Sequence, residues 1–293
     1  MEATGRAMNL PVPLPESHVF THEAMHTTFC LRLMGEDAQL VAGAARECLD
    51  LVDDLEAKLS RFIDGSEVFR INRLQAGDTL YLSDPCHQCL LLAMQAYTLT
   101  GGLFDITAGR RIAHRKTGAS GPLPALTGQL VIHPDVAAIT CESPGRDIDL
   151  GGIAKGFALD QMAGLLADWG VTGGLLAAGA SSLLAVGPHA WPVQLGGELE
   201  VRQLALTNQA LSASGTEVQG SHIVHPDSEG GQQTYLSQRV WAVARSATLA
   251  EAWSTALMLM SLENVAAVIE RQDTLLHAYA ECDGRVAVLK YQE

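Results

Sequence analysis

The stretch RDIDLGGIAKGFALDQMAGLL, Arg146 to Leu166, constrains the fold of this chain more than any other segment. An acid, two glycines, a lysine, a third glycine and another acid follow one another closely. Gly151 and Gly152 remove side chains where a helix of about Gly152 to Trp169 begins, which bares backbone donors and acceptors to a ligand. Lys155 falls in the first turn, where a cation opposes the helix dipole unless an anion offsets it. The spacing therefore points to a phosphate. Asp149 is placed to accept hydrogen bonds from a ligand ring or ribose, and Asp160 reads as a solvated residue. The bland reading is a helix start whose glycines serve tight packing and whose lysine is incidental. The spacing matches neither the Walker phosphate loop nor the dinucleotide GxGxxG pattern.

The flanking chain predicts an α+β fold. HEAMHTTFCLRL, His22 to Leu33, alternates well enough for a first strand. Ala38 to Leu59 carries apolar residues at helical spacing. Asp64-Gly65 is a turn signal, and Ser66-Glu67 opens a short helix. A second long helix runs from Asp84-Pro85 to the glycines at 101 and 102. LFDITAG reads as a short turn or strand, and KTGASGPLPALTG as an exposed loop. After the opening motif come short β-like runs. Two more helices follow, the first ending near Ser261, and then a hairpin turning at Asp283-Gly284. Long helices among antiparallel-looking strands, with no βαβ alternation and no repeat, define α+β.

Composition narrows the partners. A formal net charge of -14 argues against a nucleic-acid footprint, which needs clustered Lys and Arg. No apolar run reaches the length of a membrane span. Residues 1–18 read as a loose, Pro-containing leader, and 19–293 as one domain. With neither a signal pattern nor a lipobox, the expected compartment is the cytoplasm, or the periplasm if the chain has been trimmed. Cys86-His87-Gln88-Cys89 is a lone CxxC without a second ligand pair, so its thiols are expected to share a buried helix face.

Seven segments, in order, resemble the ApbE family, the FAD:protein FMN transferases. They are AMHTTF (24–29), LSRFIDGSEVFRINR (59–73), GGLFDITAG (101–109), DIDLGGIAKGFALDQMA, SASG (212–215), SHIVHP (221–226) and LAEAWSTALMLM (249–260). The resemblance implies a single T-fold-type domain with an antiparallel sheet and packed helices. It also implies a reaction, in which FAD is cleaved with a divalent cation, Mg²⁺. The FMN phosphoryl group passes to a threonine of a target protein, a redox subunit, and AMP is released. By the same resemblance the metal ligands are the Gly152 carbonyl, the Glu251 carboxylate and the Thr255 hydroxyl. Residues 251 and 255 share a helix face. Met25, Phe62, Leu103, Phe104, Asp105, Asp149 and Lys155 would surround the flavin nucleotide, with Met25 and Phe62 against the flat ring. His222 would take the proton of the acceptor threonine.

The chain departs from the family pattern at several of these places. Glu251 stands where the usual metal ligand is Asp, and His26 where the family usually has Gly. Ala177-Ala-Gly-Ala-Ser181 replaces an Asn-x-Gly-Gly-Asp-like turn. Ala213 replaces a Thr and His225 an Asp. Three functions are compatible with this pattern: an active transferase with an altered site, a flavin-binding protein with weak or no catalysis, and a metal-dependent FAD pyrophosphatase.

Overall fold

The structure is a computed structural model that describes residues 16–215, 237–260, 262–269 and 272–291. It opens with a hairpin, β1 (His18–Ala24) and β2 (Thr27–Leu33). The segment expected as one strand from His22 is thus two strands, folded at Met25-His26. Both turn residues have left-handed backbone, with φ of 51° and 57°. A two-residue turn of this hand matches the twist of antiparallel strands, and period-2 alternation continues through it, which hid the break.

Helix α1 (Ala38–Leu59) has the predicted bounds and follows an Asp37 cap that accepts from the Gln39 and Leu40 amides. Its stripe of Val41, Ala44, Ala45, Cys48, Val52, Leu55 and Leu59 is buried. Ser66 caps α2 (Glu67–Ile71) through the Phe69 amide. Next come β3 (Thr79–Tyr81) and α3 (Asp84–Leu99), with Pro85 in the first turn. Cys86 and Cys89 lie fully buried on the inner face of α3, and burial pushes both thiols upward in pKa. Helix α4 (Gly109–Lys116) starts where the sequence suggested only a turn or strand. Its residues GRRIAHRK have no apolar stripe, so periodicity gave no helical signal.

Strands β4 (Gln129–Ile132) and β5 (Ala138–Ser143) join β3 in a small sheet of order β3-β5-β4. Helix α5 (Ala154–Asp168) follows the glycine pair. Then come β6 (Gly174–Ala178), β7 (Ser182–Val186), β8 (Trp191–Gly196), β9 (Val201–Leu206), β10 (Ala210–Gly215) and β11 (Arg239–Ala244). Helices α6 (Ala247–Leu259) and α7 (Leu262–Ile269) precede β12 (Leu275–Cys282) and β13 (Arg285–Lys290). The last two strands turn at Asp283-Gly284 as expected, with φ of 51° and 74°.

The main sheet has the order β1-β2-β6-β7-β10-β11-β12-β13, antiparallel throughout. Strand β11 shows how it is held. Val240, Ala242 and Ala244 enter the core shared with the helices, while Trp241 and Val243 enter a second core beneath the β8–β9 ribbon. A strand buried on both faces can be apolar throughout, as RVWAVA nearly is. Helix α6 sits between this sheet and α5 and is buried along most of its length. It approaches α5 tightly at Gly156, where a Cβ would come within 2.3 Å of the Ala247 carbonyl oxygen. Gly156 is thus required for helix contact. Among the described residues, no helix is long and apolar enough to cross a membrane.

Candidate active site

The predicted motif and α6 meet at one side chain. Glu251 is 3% exposed, and its Oε1 lies 3.0 Å from the Lys155 Nζ. The same oxygen accepts from the Ser182 hydroxyl at 2.5 Å. Its other oxygen, Oε2, is buried with no hydrogen-bond partner. Such an atom is costly, because burial removes the waters that would otherwise serve it. Burial first, and the Glu251 charge second, also raise the pKa of the Cys89 thiol, so Cys89 stays neutral.

Beside this group, Gly152 faces Phe104 and Thr255. A Cβ on Gly152 would lie 3.2 Å from the Phe104 ring and 3.4 Å from the Thr255 Oγ1. The backbone therefore approaches the α6 hydroxyl closely because residue 152 has no side chain. Ser254, next to Thr255, exchanges hydrogen bonds with Ser214 at 2.9 Å and Ser212 at 3.2 Å. That ties the SASG strand to the helix carrying Glu251. Gly152, Glu251 and Thr255 offer carbonyl, carboxylate and hydroxyl oxygens, the hard donors that Mg²⁺ takes. The bare Oε2 fits such an ion, so the residues present suit the group.

The rest of the motif is held from outside. Ile148 and Asn72 form a two-way bridge: the Asn72 Nδ2 donates to the Ile148 carbonyl at 2.9 Å, and the Ile148 amide donates to Oδ1 at 2.6 Å. Asp149 is buried, and neither of its oxygens is idle. Oδ1 accepts from the Gly151 amide at 2.9 Å and Oδ2 from Arg61 at 3.1 Å. Arg61 also donates to the Gly109 carbonyl at 3.0 Å and lies 3.6 Å from Asp147. Arg61 thus joins the end of α1 to the start of α4 and to the glycine loop. Asp105 is similarly engaged, by the Thr107 amide and hydroxyl at 2.8 and 2.6 Å and by Arg146 at 3.2 Å.

The apolar candidates divide. Phe62 is 67% exposed and so lies outside the core. Its ring stands edge-on to His26, with centroids 6.4 Å apart, and the Arg61 guanidinium lies 5.8 Å from its centroid. The β1–β2 turn is thereby brought beside Phe62. Phe104 is 4% exposed and belongs to the core, under Gly152. Leu103 and Met25 are half-buried and pack against that core. His222 and His225 lie outside the described residues.

Asp160 corrects the sequence reading. It is no solvated residue but the cap of α6, accepting from the Ser246 hydroxyl and from the Ala247 and Thr248 amides at 2.7, 2.8 and 2.9 Å. Sequence reasoning also missed Arg61 and Ser182. Arg61 directly precedes Phe62 within a segment already singled out, and a charge beside an exposed aromatic was the available signal. Ser182 follows Ser181 at a strand start, with nothing local to mark it.

Comparison with known proteins bears on the family and the fold. The model of the ApbE family matches residues 25–280. The FAD:protein FMN transferase of Salmonella typhimurium is 23% identical over 291 residues, covering 88% of this chain and 83% of that protein. The apo flavinyl transferase ApbE of Pseudomonas stutzeri superposes with a TM-score of 0.79 at 22% identity, over 93% of this chain and 94% of that one. The ApbE protein of Thermotoga maritima gives 0.79 at 20% identity, over 93% and 97%. With a family match over most of its length and this likeness in fold, the chain belongs to the ApbE family.

Proposed function

We propose that the protein is an FAD:protein FMN transferase whose site is built around Lys155 and Glu251. The observation that carries the reading is the buried Glu251 carboxylate, paired to Lys155 on one oxygen and bare on the other, beside the Gly152–Thr255 approach. In the reaction, the threonine hydroxyl oxygen of an acceptor protein bonds to the FMN phosphorus. The pyrophosphate P–O bond breaks, AMP leaves, and the threonine proton passes to a base, for which His222 is the proposed residue. Phe62 offers an exposed ring for the isoalloxazine to stack on, with Met25 at the neighbouring turn. Lys155 faces the phosphate. Asp149 and Asp105, engaged by Arg61 and Arg146, shape the loops that meet the polar edges of the nucleotide. Gly152, Glu251 and Thr255 would hold a Mg²⁺ ion, which would neutralise the charge that develops on the leaving phosphate. The acceptor is read as a threonine motif on a redox subunit, and the compartment as the cytoplasm.

The test is incubation with FAD and Mg²⁺, with and without a threonine-motif peptide, reading AMP and peptide mass. AMP together with a peptide heavier by one FMN residue supports the transferase. AMP alone moves the reading to a pyrophosphatase, and FAD retention without AMP to a flavin-binding protein.

A further inference from the structure

Glu251 has one methylene more than the aspartate usual at its position, and that reach carries Oε1 to the Lys155 ammonium. The contact is a partly buried ion pair: the Lys155 side chain is 21% exposed and that of Glu251 4%. Lys155 also sits in the first turn of α5, where the dipole favours a negative partner. Before a nucleotide arrives, the anion beside this lysine is the Glu251 carboxylate. The pair is incomplete, because Ser182 and Lys155 both serve Oε1 and leave Oε2 bare. One carboxylate thus faces two alternative cations, an ammonium already in place and a divalent ion suited to the bare oxygen. The two repel each other strongly at the distances a shared carboxylate imposes.

We propose that Lys155 is an internal counter-ion that guards Glu251 in the nucleotide-free protein. Arrival of the pyrophosphate draws the ammonium from carboxylate to phosphate and frees the carboxylate for the metal. Nucleotide then loads before metal, and Glu251 is never left as a buried charge without a partner. This rests on the transferase reading and adds an order of binding to it.

The experiment measures Mn²⁺ binding to the full chain without nucleotide, by loss of the free-ion paramagnetic resonance signal. Lys155→Met should bind Mn²⁺ about tenfold or more tightly than wild type, because the competing cation is gone. If Lys155→Met does not fold, Glu251→Asp serves instead, since the shorter carboxylate draws back from Lys155 and should also tighten Mn²⁺. Equal affinity in wild type and these variants, with loss in Glu251→Gln, would overturn the guard and leave the metal site standing. Equal affinity that also survives Glu251→Gln would overturn the guard and the proposed metal ligands together.

Discussion

Asp160 on α5 and Thr248 at the start of α6 are joined twice: the carboxylate accepts from both the amide and the hydroxyl of Thr248, at 2.9 and 2.5 Å. Helix α6 carries Glu251 and Thr255, so this cap fixes the height at which both enter the site. An N-terminal carboxylate also complements the helix dipole. Asp160→Ala should cost about 2–3 kcal/mol by urea unfolding, since charge-assisted bonds to two amides are lost together. Asp160→Asn, which keeps one acceptor oxygen, should cost about half as much. An Asp160→Ala variant as stable as wild type would show that Ser246 alone caps the helix.

Phe62 and Phe104 separate binding from folding. Phe62 is exposed, so Phe62→Ala should change stability by no more than about 0.5 kcal/mol. It should weaken FAD binding roughly fivefold, about the contribution of one aromatic stack. Phe104 fills space beneath Gly152, and Phe104→Ala should cost about 3–4 kcal/mol through the cavity it leaves. Flavin fluorescence quenching and urea midpoints of both variants test the division.

The Arg61–Asp149 pair is an organising contact of the glycine loop. Arg61→Met leaves a buried carboxylate with only the Gly151 amide and should cost about 3–4 kcal/mol. Adding Asp149→Asn removes the stranded charge and should restore part of that loss. A double-mutant cycle by denaturation reads the coupling, and additive costs would show that the two side chains act independently.

The regular elements were legible where one physical signal dominated. Helix α1 announced both of its ends, through an apolar stripe and a capping Asp37, and the β12–β13 turn through Asp283-Gly284. What was hidden was tertiary. Helix α4 has only Ile112 and Ala113 as apolar side chains, too few to set a period, and is anchored by Arg61 at Gly109 and by the Arg110–Asp147 ion pair, neither of which a local window can contain. The turn at Met25-His26 has no glycine, so a left-handed pair read as strand. Gly152, Lys155, Glu251 and Thr255 were nameable because family motifs mark them. The contacts of Ser182 and Arg61 were not, although Arg61 lies in a family segment, because they reach Glu251 and Asp149 from 69 and 88 residues away along the chain.

His277 gives stability a pH dependence. It stacks on Tyr291 at 4.7 Å, and burial, followed by the Lys290 charge, lowers its pKa below the ordinary 6.5. As pH falls through about 6.5, the unfolded chain takes up a proton that the folded chain resists, so stability drops toward the folded value. Above that window both states are neutral and the loss vanishes. His277→Phe keeps the stack and should flatten this part of the profile, measured as urea midpoints between about pH 7.5 and 5. An unchanged slope would assign it to another group.

Glu251→Asp asks whether the longer carboxylate is tolerated or tuned. Shortening the side chain by one methylene withdraws Oε1 from both Lys155 and Ser182, which it now meets at 3.0 and 2.5 Å. The carboxylate and its charge remain on the same face as Thr255. If the extra reach serves mainly to engage Lys155, the aspartate variant should release AMP from FAD at least as fast as wild type at saturating Mg²⁺. It should also need less Mg²⁺ for half-maximal rate, by about threefold or more, because the ammonium no longer competes. Glu251→Ala should abolish AMP release while largely sparing FAD retention, since Phe62 and the glycine loop stay in place. A slower aspartate variant with a higher Mg²⁺ requirement would mean instead that this backbone sets α6 too far from Gly152 for the shorter ligand, and that glutamate is the length the site needs.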